Sequence, residues 1–241
     1  MDVYDKIAGD FAQSRNNSWE EFELFDDYVK PGQNILDIGC GSGRLCSFLQ
    51  EKEVNYTGCD SSSKLLSLAQ KKFPRNNFVF GDFRDLPFED KSFDLVFAIA
   101  SFHHLMDFKD QKKGVAEMAR VLKKDGILCL TVWNLFQKKY RHLFFKNIFK
   151  RIYQGIFPFG VLVPFGQQKV LRPYFTFTPN RLKSKFAEHF FCLKEIHSIG
   201  KKKSNFPDCR NICLILKKQD EERVYKNSRS EIRQGFAQAS D

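Results

Sequence analysis

The sequence predicts an α/β fold, a mostly parallel sheet with helices on both faces. Three observations carry that prediction. Residues 34–43 read N-I-L-D-I-G-C-G-S-G, where Ile35, Leu36 and Ile38 form a short strand-like run broken by Gly39, Gly41 and Gly43. Residues 44–51 then set Leu45, Phe48 and Leu49 at helical spacing, so strand, glycine turn and helix make one βα unit. Residues 93–99 are almost continuously apolar, as in a parallel strand buried on both faces.

Composition bounds the architecture. A chain of 241 residues, 42% hydrophobic, is long enough for one well-filled core. The expected layout is one domain over residues 1–217, including a helical cap over 1–29 and a basic aromatic insertion over 135–177, then a polar tail over 218–241. No apolar run approaches the roughly 18 residues that span a bilayer. Residues 1–11 carry three Asp and no apolar centre, unlike a secretory signal. Seven Cys without framework spacing predict reduced thiols and a cytoplasmic setting. Cys209 and Cys213 sit in an apparent strand with no second pair, so core packing is expected there rather than zinc. Charge divides unevenly: residues 1–137 hold 17 Lys+Arg against 21 Asp+Glu, and residues 138–241 hold 22 against 8. The second part therefore predicts a surface for a polyanion, either nucleic acid or an anionic membrane.

The glycine turn narrows the ligand. Its G-x-G-x-G spacing differs from the G-x-G-x-x-G of dinucleotide folds, and no P-loop lysine follows. Asp37, two residues before the first glycine, would repel a pyrophosphate but suits a cationic ligand. S-adenosylmethionine, with a sulfonium, an ammonium, a carboxylate and no phosphate, meets these requirements; the amides opening the next helix suit its carboxylate. With this motif the chain resembles the class I S-adenosylmethionine-dependent methyltransferases.

The elements follow in order. Tyr4, Ile7, Ala8 and Phe11 share one helical face, and Phe22, Phe25 and Tyr28 another. Arg15 and Trp19 lie between them, in a segment positioned to cover the cofactor. Residues 54–59 alternate as a strand ending at Asp60, about 20 residues past the glycines, suited to hold both ribose hydroxyls or to cap the helix from Ser61. Residues 78–80 form a third strand closed by Gly81, Asp82 and Phe83, with Asp82 suited to the adenine amino group and Phe83 to its ring. The fourth strand, 93–99, ends at Ala100, with His103 and His104 just beyond, at the strand edge where open α/β sheets bind ligands. A helix over 109–122, a turn over 123–126 and a fifth strand over 127–132 lead to Trp133 and Asn134 at the same edge. Residues 138–153 are basic and aromatic, and can meet RNA, a membrane surface, or serve as a hydrophobic lid. A helix capped by Thr178 and an antiparallel pair near 190–198 and 210–216 close the fold.

The resemblance covers residues 30–217 and implies a Rossmann-like, seven-stranded sheet with the last strand antiparallel. It implies cofactor positions at Asp37, Gly39, Gly41, Gly43, Asp60 and Asp82; Tyr4, Cys40, Ser61, Phe83 and Ala100 join them as candidates. A narrower resemblance is to the tRNA wobble-uridine carboxymethyl methyltransferases. It rests on Tyr4-Asp5-x-Ile7-Ala8, Arg15, Trp19, Ile99-Ala100 with His103-His104, Val132-Trp133, Val161-Leu162-Val163-Pro164 and Arg172 with Tyr174. The expected substrate contacts are Trp19, Trp133, Asn134, Arg172 and Tyr174. Arg15 is expected to orient an acceptor carboxylate, with His103 or His104 as second donor. Phe165 and Phe175 depart from that family, which has Trp and His there. The resemblance implies tRNA as substrate and, in eukaryotic members, a small activator protein. Two other readings stand beside it: a small-molecule or lipid-precursor methyltransferase at a membrane, and a silent RNA-binding protein on this scaffold.

Overall fold

The computed structural model describes residues 3–15, 19–146, 148–153, 155, 159–200 and 202–220. Residues 16–18, between Arg15 and Trp19, and the expected tail beyond 220 lie outside them.

The chain opens with α1 (Val3–Gln13), which buries Ile7 and Ala8, and a 3-10 helix, Glu20–Tyr28, which buries Phe22 and Phe25. Strand β1 (Asn34–Ile38) leads through the glycine turn into α2 (Arg44–Leu49). The pattern repeats with β2 (Asn55–Asp60), α3 (Ser63–Lys72), β3 (Asn77–Phe80), β4 (Phe93–Ile99), α4 (Phe108–Val121) and β5 (Leu122–Trp133). A 3-10 helix over Lys138–Phe144, then α5 (Ile148–Tyr153), precede a hairpin of β6 (Gly160–Phe165) and β7 (Val170–Phe175). Helix α6 (Pro179–Phe186), β8 (Phe190–Ile199), the two-residue β9 (Lys202–Lys203) and β10 (Asn211–Lys218) complete it.

The main sheet runs β3-β2-β1-β4-β5-β10-β8-β9. The first five strands are parallel, and β10 is antiparallel to both its neighbours. This is the fold expected from the sequence, with β9 as an added eighth strand. The strand order reverses at β1, with β2 on one side and β4, reached from β3, on the other, so a crevice opens beyond the carboxyl ends of β1 and β4. Both faces are covered. Leu36, Val96, Leu128 and Leu130 pack with Met118 and Phe186 on one side. Ile35, Leu95, Phe97 and Cys129 pack with Phe22, Phe25 and Leu45 on the other.

Two local expectations change. The turn expected over 123–126 is absorbed as a bulge in β5, whose partners jump from Phe93 opposite Leu122 to Leu95 opposite Ile127. The expected insertion over 135–177 contains an ordered β6–β7 hairpin; its buried Val161, Val163 and Tyr174 gather with Leu135 and Leu143 into a separate small core.

The caps are side-chain built. Ser62 Oγ accepts from Leu65 N at 3.2 Å to cap α3, and donates to Asp5 Oδ1 at 2.7 Å, tying α1 to the sheet's edge helix. The helix cap is thus Ser62, which leaves Asp60 to the strand end. Replacing Ser62 with Ala is expected to cost about 1 kcal/mol in urea unfolding, because one cap and one inter-helix bond go together.

Candidate active site

The turn after β1 shapes the crevice. Gly39, Gly41 and Gly43 have φ of 76°, 55° and 81°, a region that L side chains rarely adopt. A Cβ on Gly39 would lie 2.4 Å from Ser101 Cβ, and one on Gly43 would lie 2.8 Å from the Phe73 ring. Asp60 then anchors the turn: Oδ2 accepts from Gly41 N and Oδ1 from Ser62 N, each at 2.8 Å.

Beyond the turn lies a cavity of about 780 Å³, a size that suits a nucleoside-like ligand. Asp37, Asp60 and Asp82, one from each strand end, line it together with Gly39, Cys40 and Gly41. Ser61, Phe83 and Ala100 also line it, whereas Gly43 serves the turn. Ala100 has a φ of 50°, uncommon for a residue with a Cβ, and Thr131 holds its N–H through both Oγ1 and the carbonyl oxygen.

The acids differ in state. Asp37 is buried, and desolvation raises its carboxyl to about 7 even though Tyr56 donates to Oδ2 at 3.0 Å. Its ionised form therefore awaits a cation. Asp82 is held below the usual carboxylate range by Arg84, whose N and Nε donate to Oδ1 and Nη2 to Oδ2. A carboxylate has about four acceptor sites, so Asp82 can still take one bond from an adenine amino group. Arg84 thus shares a position that the sequence reading gave to the ligand alone.

The opposite wall is cationic and aromatic. Arg172 is 2% exposed, its Nε has no hydrogen-bond partner, and its Cζ lies 4.6 Å over Phe165 and 5.2 Å over Tyr174. Arg15 stacks over Phe11 at 5.0 Å, and burial lowers its guanidinium from the ordinary value. Both line the cavity, and neither has a carboxylate partner among the described residues. Trp133 stacks on Tyr174 at 5.2 Å and 10°, and Trp19 forms part of the same lining. Tyr4 joins the walls: its hydroxyl donates to His104 Nε2 at 2.8 Å and accepts from Arg172 Nη1 at 3.4 Å.

Three expectations are corrected. His103 does not reach the cavity; it is buried, its Nδ1 accepts from Trp133 N at 3.2 Å, and desolvation holds it neutral. His104 lines the cavity, but its Nδ1 donates to Pro173 O and its Nε2 accepts from Tyr4, so it positions Tyr4 rather than donating to an acceptor. Asn134 points into the core, donating to Pro207 O at 2.7 Å and Cys209 O at 2.9 Å. Neighbouring residues on an extended segment point apart, which is why Trp133 lines the site and Asn134 does not. Sequence reasoning missed Arg44, which lines the cavity with its Cζ 5.5 Å over Trp19 and its guanidinium lowered by burial to about 10. Its place directly after Gly43 was the available signal.

Residues 36–130 match a family model described as a methyltransferase domain. The chain is 33% identical over 141 residues to a probable tRNA methyltransferase 9B of Bos taurus, covering 58% of this chain and 30% of that protein. It is 32% identical over 131 residues to a tRNA (carboxymethyluridine(34)-5-O)-methyltransferase of Arabidopsis thaliana, covering 54% and 31%. The chain thus spans under a third of these relatives' length. A chain in the complex between the Haloferax volcanii Trm112 methyltransferase activator and a methyltransferase superposes with a TM-score of 0.65 at 18% identity, covering 91% and 99%. The fold is that of the class I methyltransferases, and residues 36–130, which include the glycine turn, resemble a methyltransferase domain.

Asp37 generates a pH prediction. A ligand ammonium beside it must displace its proton below about pH 7, so affinity for S-adenosylhomocysteine should fall by up to about tenfold per pH unit below that point. Without ligand the sign reverses: the folded state holds this proton more tightly than the unfolded chain, so its ionisation removes stability as pH rises towards 7. Asp37→Asn should therefore abolish cofactor affinity by calorimetry while raising the melting temperature of the free protein at pH 8.

Proposed function

We infer that this chain, which carries a methyltransferase domain on the class I fold, is an S-adenosylmethionine-dependent methyltransferase that esterifies the carboxylate of a carboxymethyl-type wobble uridine in tRNA. One observation carries the carboxylate: Arg15 and Arg172 face the cavity from an aromatic wall, and no described carboxylate pairs with either. A buried cation without an anionic partner is costly, and an anionic substrate group relieves that cost. Relatives with tRNA methyltransferase names support a tRNA bearing that group.

The residues fit the cofactor. The turn has room only for backbone at Gly39 and Gly43, Asp37 suits an ammonium, Asp60 a ribose, Asp82 an adenine amino group, and Arg44 a carboxylate. When bound, the cofactor supplies an electrophilic methyl group on a sulfonium. The residues of the opposite wall do the rest. Arg172 and Arg15 orient the acceptor carboxylate, leaving one oxygen facing the methyl. Tyr4, Phe11, Trp133 and Tyr174 exclude water from the line of transfer. A carboxylate is already ionised near neutral pH, so no proton has to be removed. The commitment of both His104 nitrogens within the protein agrees with this. The partner we propose is a strand-adding activator at β3, the sheet's outer strand, where Phe80 is 63% exposed.

Arg15→Ala and Arg172→Met should each lower methyl transfer to tRNA at least about a hundredfold while S-adenosylhomocysteine affinity stays within about twofold. Transfer of labelled methyl groups, run beside calorimetry, reads both. Equal losses in the two measurements would move these arginines to the cofactor and remove the carboxylate reading.

A further inference from the structure

Helix α5 and the turn before it leave large side chains in water. Phe145, Phe149 and Tyr153 are 83%, 85% and 92% exposed, and Ile152 is 55% exposed. Their spacing of four residues sets them along one side of a helical path. The inner side of the same stretch is fixed, because Leu143 is buried with Val161, Val163 and Tyr174, and Phe144 stacks on Phe136 at 5.4 Å. The rings are therefore held outward on a packed base. Monomeric proteins rarely leave such a group uncovered without a partner.

Charge indicates which partner. Between Asp125 and Glu188 the sequence has no acidic residue, and Lys138, Lys139, Arg141 and Lys146 are exposed around the rings. The occupant is an anion with flat apolar groups. The rings also follow the cavity wall in the chain: Gln137, Lys139 and Tyr140 line the cavity, and Phe145 comes five residues after Tyr140. A polymer with one residue in the cavity can continue along this stretch, its charged backbone meeting the cations and its flat groups the rings.

We propose that residues 138–153 form a stacking platform for single-stranded RNA, with Phe145, Phe149 and Tyr153 receiving bases that flank the methylated nucleotide and the exposed cations meeting their phosphates. This rests on the reading of the substrate as RNA. Base stacking tolerates any sequence, while backbone charge sets the salt dependence. The two contributions are therefore separable.

The test compares the wild-type chain with F145A/F149A/Y153A and with R141S/K146S, using fluorescence anisotropy on a labelled anticodon stem-loop over a range of salt. S-adenosylhomocysteine affinity, unchanged in both variants, reports that the fold is intact. The ring variant should bind at least about tenfold more weakly with an unaltered salt slope. The charge variant should flatten the slope by about 0.7 for each cation removed. Equal affinity of the ring variant and the wild type would overturn the platform, as would flotation of the wild type with phosphatidylserine vesicles in place of RNA binding. Ring-dependent RNA binding without methyl transfer to tRNA would leave the platform standing and remove the proposed reaction. Methyl transfer with ring-independent binding would do the reverse.

Discussion

The carboxylate of Asp60 holds the site in shape. It accepts from Gly41 on one oxygen and from Ser62 on the other, joining the turn after β1 to the end of β2. Three left-handed glycines at alternate positions form a loop with little intrinsic preference for one conformation, so an external tie has to select it. Once the loop is held, the crevice follows from the strand order, which reverses at β1. Ser101 and Phe73 close against Gly39 and Gly43 so tightly that no side chain fits at either position. The turn is thus fixed by backbone geometry, packing and one carboxylate acting together.

Across the crevice, the physics is that of unpaired charge. Arg172 is almost fully buried among rings, and its guanidinium has the Tyr4 hydroxyl and π faces instead of a carboxylate. Rings soften the desolvation of a guanidinium without neutralising it, so the wall retains an appetite for anions. Asp37 is the mirror image, a buried acid that desolvation raises to about 7, so that a nearby cation favours its ionised form. The cavity therefore carries a poised negative site at one end and poised positive sites at the other. The proposed reaction, with a cationic donor and an anionic acceptor, needs that polarity. Tyr4 links the two ends, since α1 lies over the glycine turn through Phe11 and reaches His104 and Arg172 through its hydroxyl.

Legibility in the sequence followed locality. The βα unit over 34–49, the strand ends at Asp60 and Asp82 and the buried β4 could be read because each is encoded within a few neighbouring residues. Arg15, Trp19, Trp133, Arg172 and Tyr174 were named from family-like strings, and all five line the cavity. The histidine pair was misassigned because adjacency along the chain says nothing about which ring finds an internal partner. His103 met the Trp133 amide, and His104 was claimed on both nitrogens. Asn134 failed in the same way, captured by carbonyls some seventy residues onward. The hairpin of β6 and β7 was hidden because its strands bury one small separate core instead of continuing the main sheet.

By itself the sequence determined the fold class, the glycine turn and the acidic strand tips, since periodicity, left-handed backbone and strand-end position are local properties. Only the tertiary structure decided that Asp37 keeps its proton to about pH 7, that Arg84 shares Asp82, and that Arg172 is buried with no carboxylate partner among the described residues. Those properties belong to distances between residues far apart in the chain, and a charge takes its energy from what surrounds it in space.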